Sequence, residues 1–192
     1  MVIAHELGHQ LDLQHSQNIQ PNGTLIEYGD DSCIMGGGFD FSVGFNPLHL
    51  VQLGLMPLGK IEQLDEIGET RHILDNAEQS GTKQLRQIAV PGSDKVIYVA
   101  YRQPLGLDQD DQLMQSLWPG FSSGAMIYYW PGGSAKMQLA TTHDGSLLDG
   151  GSYSTPDGKV VITQISHDSS AVTVDVKIDP YASPVGWPHR GL

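Results

Sequence analysis

Three histidines and a glutamate near the start of the chain are spaced as metal ligands and a base, in His5-Glu6-Leu7-Gly8-His9-Gln10-Leu11-Asp12-Leu13-Gln14-His15. Two histidines four residues apart on a helix point the same way, about one turn's rise apart. From there both imidazoles can reach one ion at about 2.1 Å, the usual zinc–nitrogen distance. Glu6, next to the first histidine, can approach the open side of that ion without binding it. A third histidine has to come from beyond a straight helix, so the chain must turn after His9, and His15 sits where such a turn delivers it. Three neutral imidazoles leave zinc its full charge and one open position, where the pKa of water falls to roughly 7. Glu6 would take a proton from that water as it attacks a peptide carbonyl and pass it to the leaving amine. The metal stabilises the developing oxyanion, so no separate backbone oxyanion hole is required. The plainer reading, a helix with solvent-facing histidines, leaves the position of His15 without a reason.

The elements that must position these groups are legible in outline. Met1 to about Gln14 reads as a helix, with Ile3, Leu7 and Leu11 as an apolar stripe. The histidines lie about 200° around the helix from that stripe, so one face is expected to pack and the other to present imidazoles. No capping residue precedes this helix. Residues 16–41 are rich in glycine and polar residues, with Pro21-Asn22-Gly23 as a turn signal. A second helix is expected from Asn46 as N-cap and Pro47 at its first position to Gly54 at its stop, with Leu48, Val51 and Leu55 on its apolar face. Beyond Lys60 the period becomes two. Strands are expected at Gln84–Val90, Lys95–Arg102, Ala125–Trp130, Lys159–Ser166 and Ala171–Ile178, separated by turn signals such as Pro91-Gly92 and Asp157-Gly158. Many short strands at this spacing argue for an antiparallel β-sandwich or jelly roll, with a boundary near Pro57–Lys60.

Composition narrows the function classes. The chain has 192 residues, 39% hydrophobic and 17% charged, which places it among globular proteins. Its net charge of −12, from 22 acidic and 10 basic side chains, argues against nucleic acid and anionic membrane surfaces as partners. No apolar run approaches the ~20 residues that cross a bilayer, and the first residues do not read as a signal peptide. Cys33 is the single cysteine, so no intrachain disulfide can form.

The histidine stretch resembles the metzincin signature, in which the third histidine follows a helix-ending glycine and a methionine turn comes later. Within that clan it is most similar to the gametolysin-type peptidases, secreted zinc endopeptidases whose name-giving member acts on a glycoprotein cell wall. Tyr28-Gly29-Asp30-Asp31-Ser32-Cys33-Ile34-Met35-Gly36 is similar to their methionine-turn region, and Phe45-Asn46-Pro47 through Leu53-Gly54 to the helix that closes their catalytic domain. The resemblance implies His5, His9 and His15 as zinc ligands, Glu6 as catalytic base and Met35 as the methionine beneath the metal. It implies secretion, and a protein or peptide as substrate. It gives an α+β chain: residues 1–58 as a truncated metzincin lower subdomain, 60–178 as an antiparallel β-sandwich and 179–192 as a tail.

This sequence departs from the signature in two places. Asp12 stands where the clan has glycine; aspartate is among the residues most tolerant of the left-handed backbone required there, at a cost of about 1 kcal/mol. The twisted sheet that precedes the active-site helix in metzincins has no counterpart before His5. The expectation is therefore that an N-terminal subdomain, from a longer parent or a separate chain, covers the first helix. Two other functions compete with a peptidase: a non-catalytic remnant fastened by zinc, and a β-domain that binds wall glycoprotein or glycan.

The remaining candidates have plainer readings. Cys33 could offer a thiolate to zinc but reads better as a small buried residue. Asp30 and Asp31 could bind calcium, yet two adjacent carboxylates without further spaced ligands give it no support. His49, His72, His143, His167 and His189 lack ligand spacing. Tyr128, Tyr129 and Trp130 could stack on carbohydrate, but strand alternation favours core packing.

Overall fold

Strands dominate the chain. A computed structural model describes residues 2–19, 24–37, 44–76, 83–102, 124–130, 140–142 and 146–182. Its helices are α1 (Val2–Gln10), α2 (Pro47–Gln52) and a 3-10 turn at Leu58–Lys60. Its strands are β1 (Gln17–Ile19), β2 (Leu25–Ile26), β3 (Ile61–Leu64), β4 (Gly68–Asp75), β5 (Leu85–Ala89), β6 (Val96–Tyr101), β7 (Ala125–Trp130), β8 (Ala140–Thr142), β9 (Ser152–Ser154), β10 (Val160–His167) and β11 (Ala171–Ile178). The coarse class is α+β. All five expected strands are present within a residue or so of their expected ends.

The strands form two sheets. One runs β2-β1-β8-β7-β6-β5-β3 and the other β4-β11-β10-β9. Pairing is antiparallel except at β1–β8 and β3–β5, which are parallel, so the first sheet is mixed where purely antiparallel strands were expected. The parallel β3–β5 pair has a simple cause. Between them the chain crosses to the other sheet as β4 and returns in the same direction. β1 and β2 come from the segment before the expected boundary and join β8 from the segment after it, so this sheet runs across Pro57–Lys60.

Strict alternation along β6 and β7 gives the first sheet two buried faces. Ile97, Val99, Tyr101, Ala125 and Ile127 face the second sheet, where they meet Val160, Ile162, Val172, Val174, Val176 and Ile178. Each valine or isoleucine among them contributes roughly 1.5–3 kcal/mol of gross burial energy. Tyr98, Ala100, Met126 and Tyr128 face the other way and pack on Leu48 and Val51 of α2. The aromatic run divides as alternation dictates, with Tyr129 against the first cluster and Tyr128 and Trp130 against the second.

One expected apolar face is not buried, and a second is buried only in part. Ile3, Leu7 and Leu11 are 86%, 57% and 51% exposed, because α1 turns its histidine face, not its stripe, toward the body of the chain. Leu55 is likewise 64% exposed, since α2 stops at Gln52 and the chain turns away at Gly54 with φ +69°. The α2 cap itself is as expected: Asn46 accepts from the His49 N–H at 2.9 Å and Pro47 occupies the first turn. Pro21-Asn22-Gly23 and the tail beyond Ala182 lie outside the described residues.

Candidate metal centre

The site begins with how α1 ends. The Leu13 N–H reaches back to the Gly8 carbonyl at 3.1 Å, and the Asp12 N–H reaches that of His9 at 3.0 Å. These are the paired bonds of a Schellman motif, which needs a left-handed residue at its corner. Asp12 takes that role with φ +69°, as the sequence reading requires. Leu13, the next residue, is fully buried beside Cys33, Ile34 and Met35 and anchors the reversal. The Ser16 N–H then bonds the Met35 carbonyl at 2.8 Å, pinning the chain directly after His15.

The helix and the methionine segment touch with no space to spare. A Cβ on Gly8 would lie 2.4 Å from Met35 Sδ, and one on Gly36 would lie 2.1 Å from the Asp30 carbonyl oxygen. Met35 is fully buried under α1 in the cluster with Leu13, Cys33 and Ile34.

One ring nitrogen from each of His5, His9 and His15 falls within 4.8 Å of the other two. Each Nδ1 faces an acceptor. His5 donates to the Ile34 carbonyl at 2.7 Å, His9 to the Leu13 carbonyl at 3.0 Å, and His15 to Glu27 Oε1 at 2.7 Å. Carbonyl and carboxylate oxygens only accept, so each Nδ1 carries a proton and the neutral rings hold their lone pairs on Nε2. Nε2 of His9 and Nε2 of His15 are 3.0 Å apart. Either a shared proton or a metal ion would bridge that separation. Three neutral imidazoles, each braced through its second nitrogen, are a donor set that suits zinc. His5 is 6% exposed and the other two are half-buried, so the group opens on one side. Glu6 is exposed, adjacent to His5 on α1.

Two residues at this site have no role assigned from the sequence, Tyr28 being quoted only within the methionine-turn stretch. Glu27 and Tyr28 follow β2, which pairs with β1 directly after the ligand segment. Tyr28 lays its ring 3.9 Å, centroid to centroid, from that of His15 at a tilt of 37°. It does so with φ +61°, a conformation costing a non-glycine residue about 1–2 kcal/mol.

Beneath the ligands lies a buried polar network centred on Asp30, which is 2% exposed. Its carboxylate accepts from Ser16 Oγ at 2.6 Å, from the Ser32 N–H at 3.0 Å, from Ser32 Oγ at 2.5 Å and from Asn46 Nδ2 at 3.1 Å. Both oxygens are thus engaged in bracing the loop, a use different from the calcium alternative. Buried Arg102, just past β6, donates to the Ser32 carbonyl at 2.5 Å and ties this loop to the first sheet. Cys33 is buried and shares a 3.2 Å hydrogen bond with His49 Nδ1. Burial pushes the thiol up to about 12 and the imidazole down to about 4, so both are neutral near pH 7. His49 is not among the histidines whose ring nitrogens converge. His72 bonds Thr70 and His167 bonds Asp149, away from the ligand group. His143 and His189 lie outside the described residues.

Replacing Asp12 by glycine removes the left-handed penalty, offset in part by the freer unfolded chain. The expected result is a gain of about 0.5–1 kcal/mol, or about 1–4 °C in Tm, with metal affinity unchanged. A loss of stability on thermal denaturation would mean that the aspartate side chain itself holds the turn. Compared with protein-family models, curated proteins and solved structures, the chain matches none.

Proposed function

We propose that this chain is a zinc-dependent endopeptidase of the metzincin clan, gametolysin-like, acting on extracellular protein or glycoprotein. The observation that carries the reading is the convergence of His5, His9 and His15, whose ring nitrogens lie within 4.8 Å of one another, with all three Nδ1 atoms braced. When bound, zinc supplies Lewis acidity that polarises a peptide carbonyl and acidifies water. The chain's own residues do the rest. His5, His9 and His15 hold the ion, and Met35 underlies the site from its buried cluster. Glu6 moves the proton: its carboxylate takes one from the attacking water and returns it to the departing amine.

In this reading residues 1–58 are the lower part of a metzincin catalytic domain, and 60–178 are a β-sandwich that accompanies it. The facing apolar layers of the two sheets support the second assignment. The exposed stripe of Ile3, Leu7 and Leu11 supports a covering partner on α1, either an N-terminal subdomain or another chain.

Metal analysis by mass spectrometry of the purified chain, with His15→Ala beside it, tests the site. One zinc per chain, lost in the variant, is the expected result. A parent protein that takes up no zinc would sink the three-histidine reading.

A further inference from the structure

Resting on that reading, we infer that Glu27 and Tyr28 form a clasp that positions the third ligand, and that Glu27 sets how tightly the site holds its metal. His5 and His9 need no such help. Both sit on one helix, and their Nδ1 atoms donate to carbonyls of Ile34 and Leu13, which are fixed by the fold around the buried cluster. His15 is different. It lies beyond the helix, at the end of the reversal, and its Nδ1 partner is a side chain, Glu27 Oε1 at 2.7 Å. The ring is also held flat-side by Tyr28, at 3.9 Å between centroids. Both clasp residues follow β2, whose pairing with β1 places them opposite the segment that leaves His15.

The acceptor chemistry matters as well as the position. A carboxylate on Nδ1–H draws the proton toward itself and makes Nε2 a stronger donor to a metal than a carbonyl partner does. A charge-assisted bond also resists ring rotation better than a neutral one. Of the three histidines, His15 is thus the one that lies off the helix and has the strongest polar partner on its Nδ1. Glu27 is a positioning residue, acting only through His15.

Loss of such a partner typically weakens metal binding ten- to a hundredfold. The test uses the full chain with cobalt(II) as a spectroscopic probe and zinc in competition with a chromophoric chelator. Glu27→Ala is expected to weaken both metals about ten- to a hundredfold and to shift the visible cobalt bands, while the metal-free Tm stays at the parent value. Glu27→Gln, which keeps an acceptor for Nδ1–H, recovers part of the affinity. Tyr28→Leu, which keeps apolar bulk over the ring, shifts the cobalt bands less than Glu27→Ala. Parent affinity and parent bands in Glu27→Ala overturn the clasp alone. A metal-free Tm that falls together with affinity in Glu27→Ala, without rescue by Glu27→Gln, also overturns it, since the role is then in folding. A parent chain that binds neither metal overturns the clasp and the three-histidine site together.

Discussion

On the proposed peptidase reading, replacing Glu6 by glutamine is expected to lower peptide hydrolysis by about a hundred- to ten-thousandfold while zinc content stays at the parent value. The two halves of this result come from different properties of the same position. Glu6 lies next to His5 on α1 and is exposed, whereas the groups that brace the ligands are Ile34, Leu13 and Glu27. Glutamine keeps the shape and a hydrogen-bonding oxygen but cannot take a proton near neutral pH. The ligand set should therefore load normally while proton transfer fails. The measurement pairs turnover of an unfolded protein substrate with metal analysis on the same preparation. Activity surviving the substitution would remove Glu6 from the mechanism. Loss of zinc along with activity would assign Glu6 to holding the site instead.

The convergence of the three histidines was legible because their spacing is local. His5 and His9 are one helical turn apart, and the signal for His15 lies in the same short stretch. The α2 cap was legible for the same reason, as were strands such as β11, whose valines alternate without a break. What the sequence hid is non-local or inverted. β4 points Thr70 and His72 inward and leaves Ile73 59% exposed, so its pattern does not read as a half-buried strand. β1 and β2 are too short to show a period, and their place beside β8 depends on a pairing with residues far along the chain. The stripe of Ile3, Leu7 and Leu11 misled because periodicity reports that a face is apolar, not what it meets. Glu27 reads as an ordinary surface carboxylate until β1 and β2 pair and bring it to Nδ1 of His15. Arg102 and Ser32 are 70 residues apart, and nothing in either position announces the bond between them.

Asp30 was read as half of a weak acidic pair, and its burial turns it into the residue whose loss should cost the fold most. Asp30→Ala removes four hydrogen bonds at once and leaves the Ser32 N–H, both serine hydroxyls and Asn46 Nδ2 with fewer acceptors in a region closed to water. A buried donor stripped of its partner costs about 1–3 kcal/mol. Part of this is relieved because Asn46 Nδ2 also bonds Ser16 Oγ at 3.0 Å. A net loss of about 3–5 kcal/mol follows, a large share of the roughly 5–15 kcal/mol that stabilises a typical domain. The corresponding fall in Tm is about 6–20 °C. Thermal denaturation in the presence of a chelator isolates this effect, because metal binding cannot then mask it. Asp30→Asn keeps the acceptor toward Ser32 and should lose less than half as much. The same network reaches the metal centre through Ser16, whose neighbour is His15, so the alanine variant should also bind zinc more weakly when folded. A variant that melts with the parent chain would show that the serines and Asn46 satisfy one another. Asp30 would then be a passenger in the loop after β2.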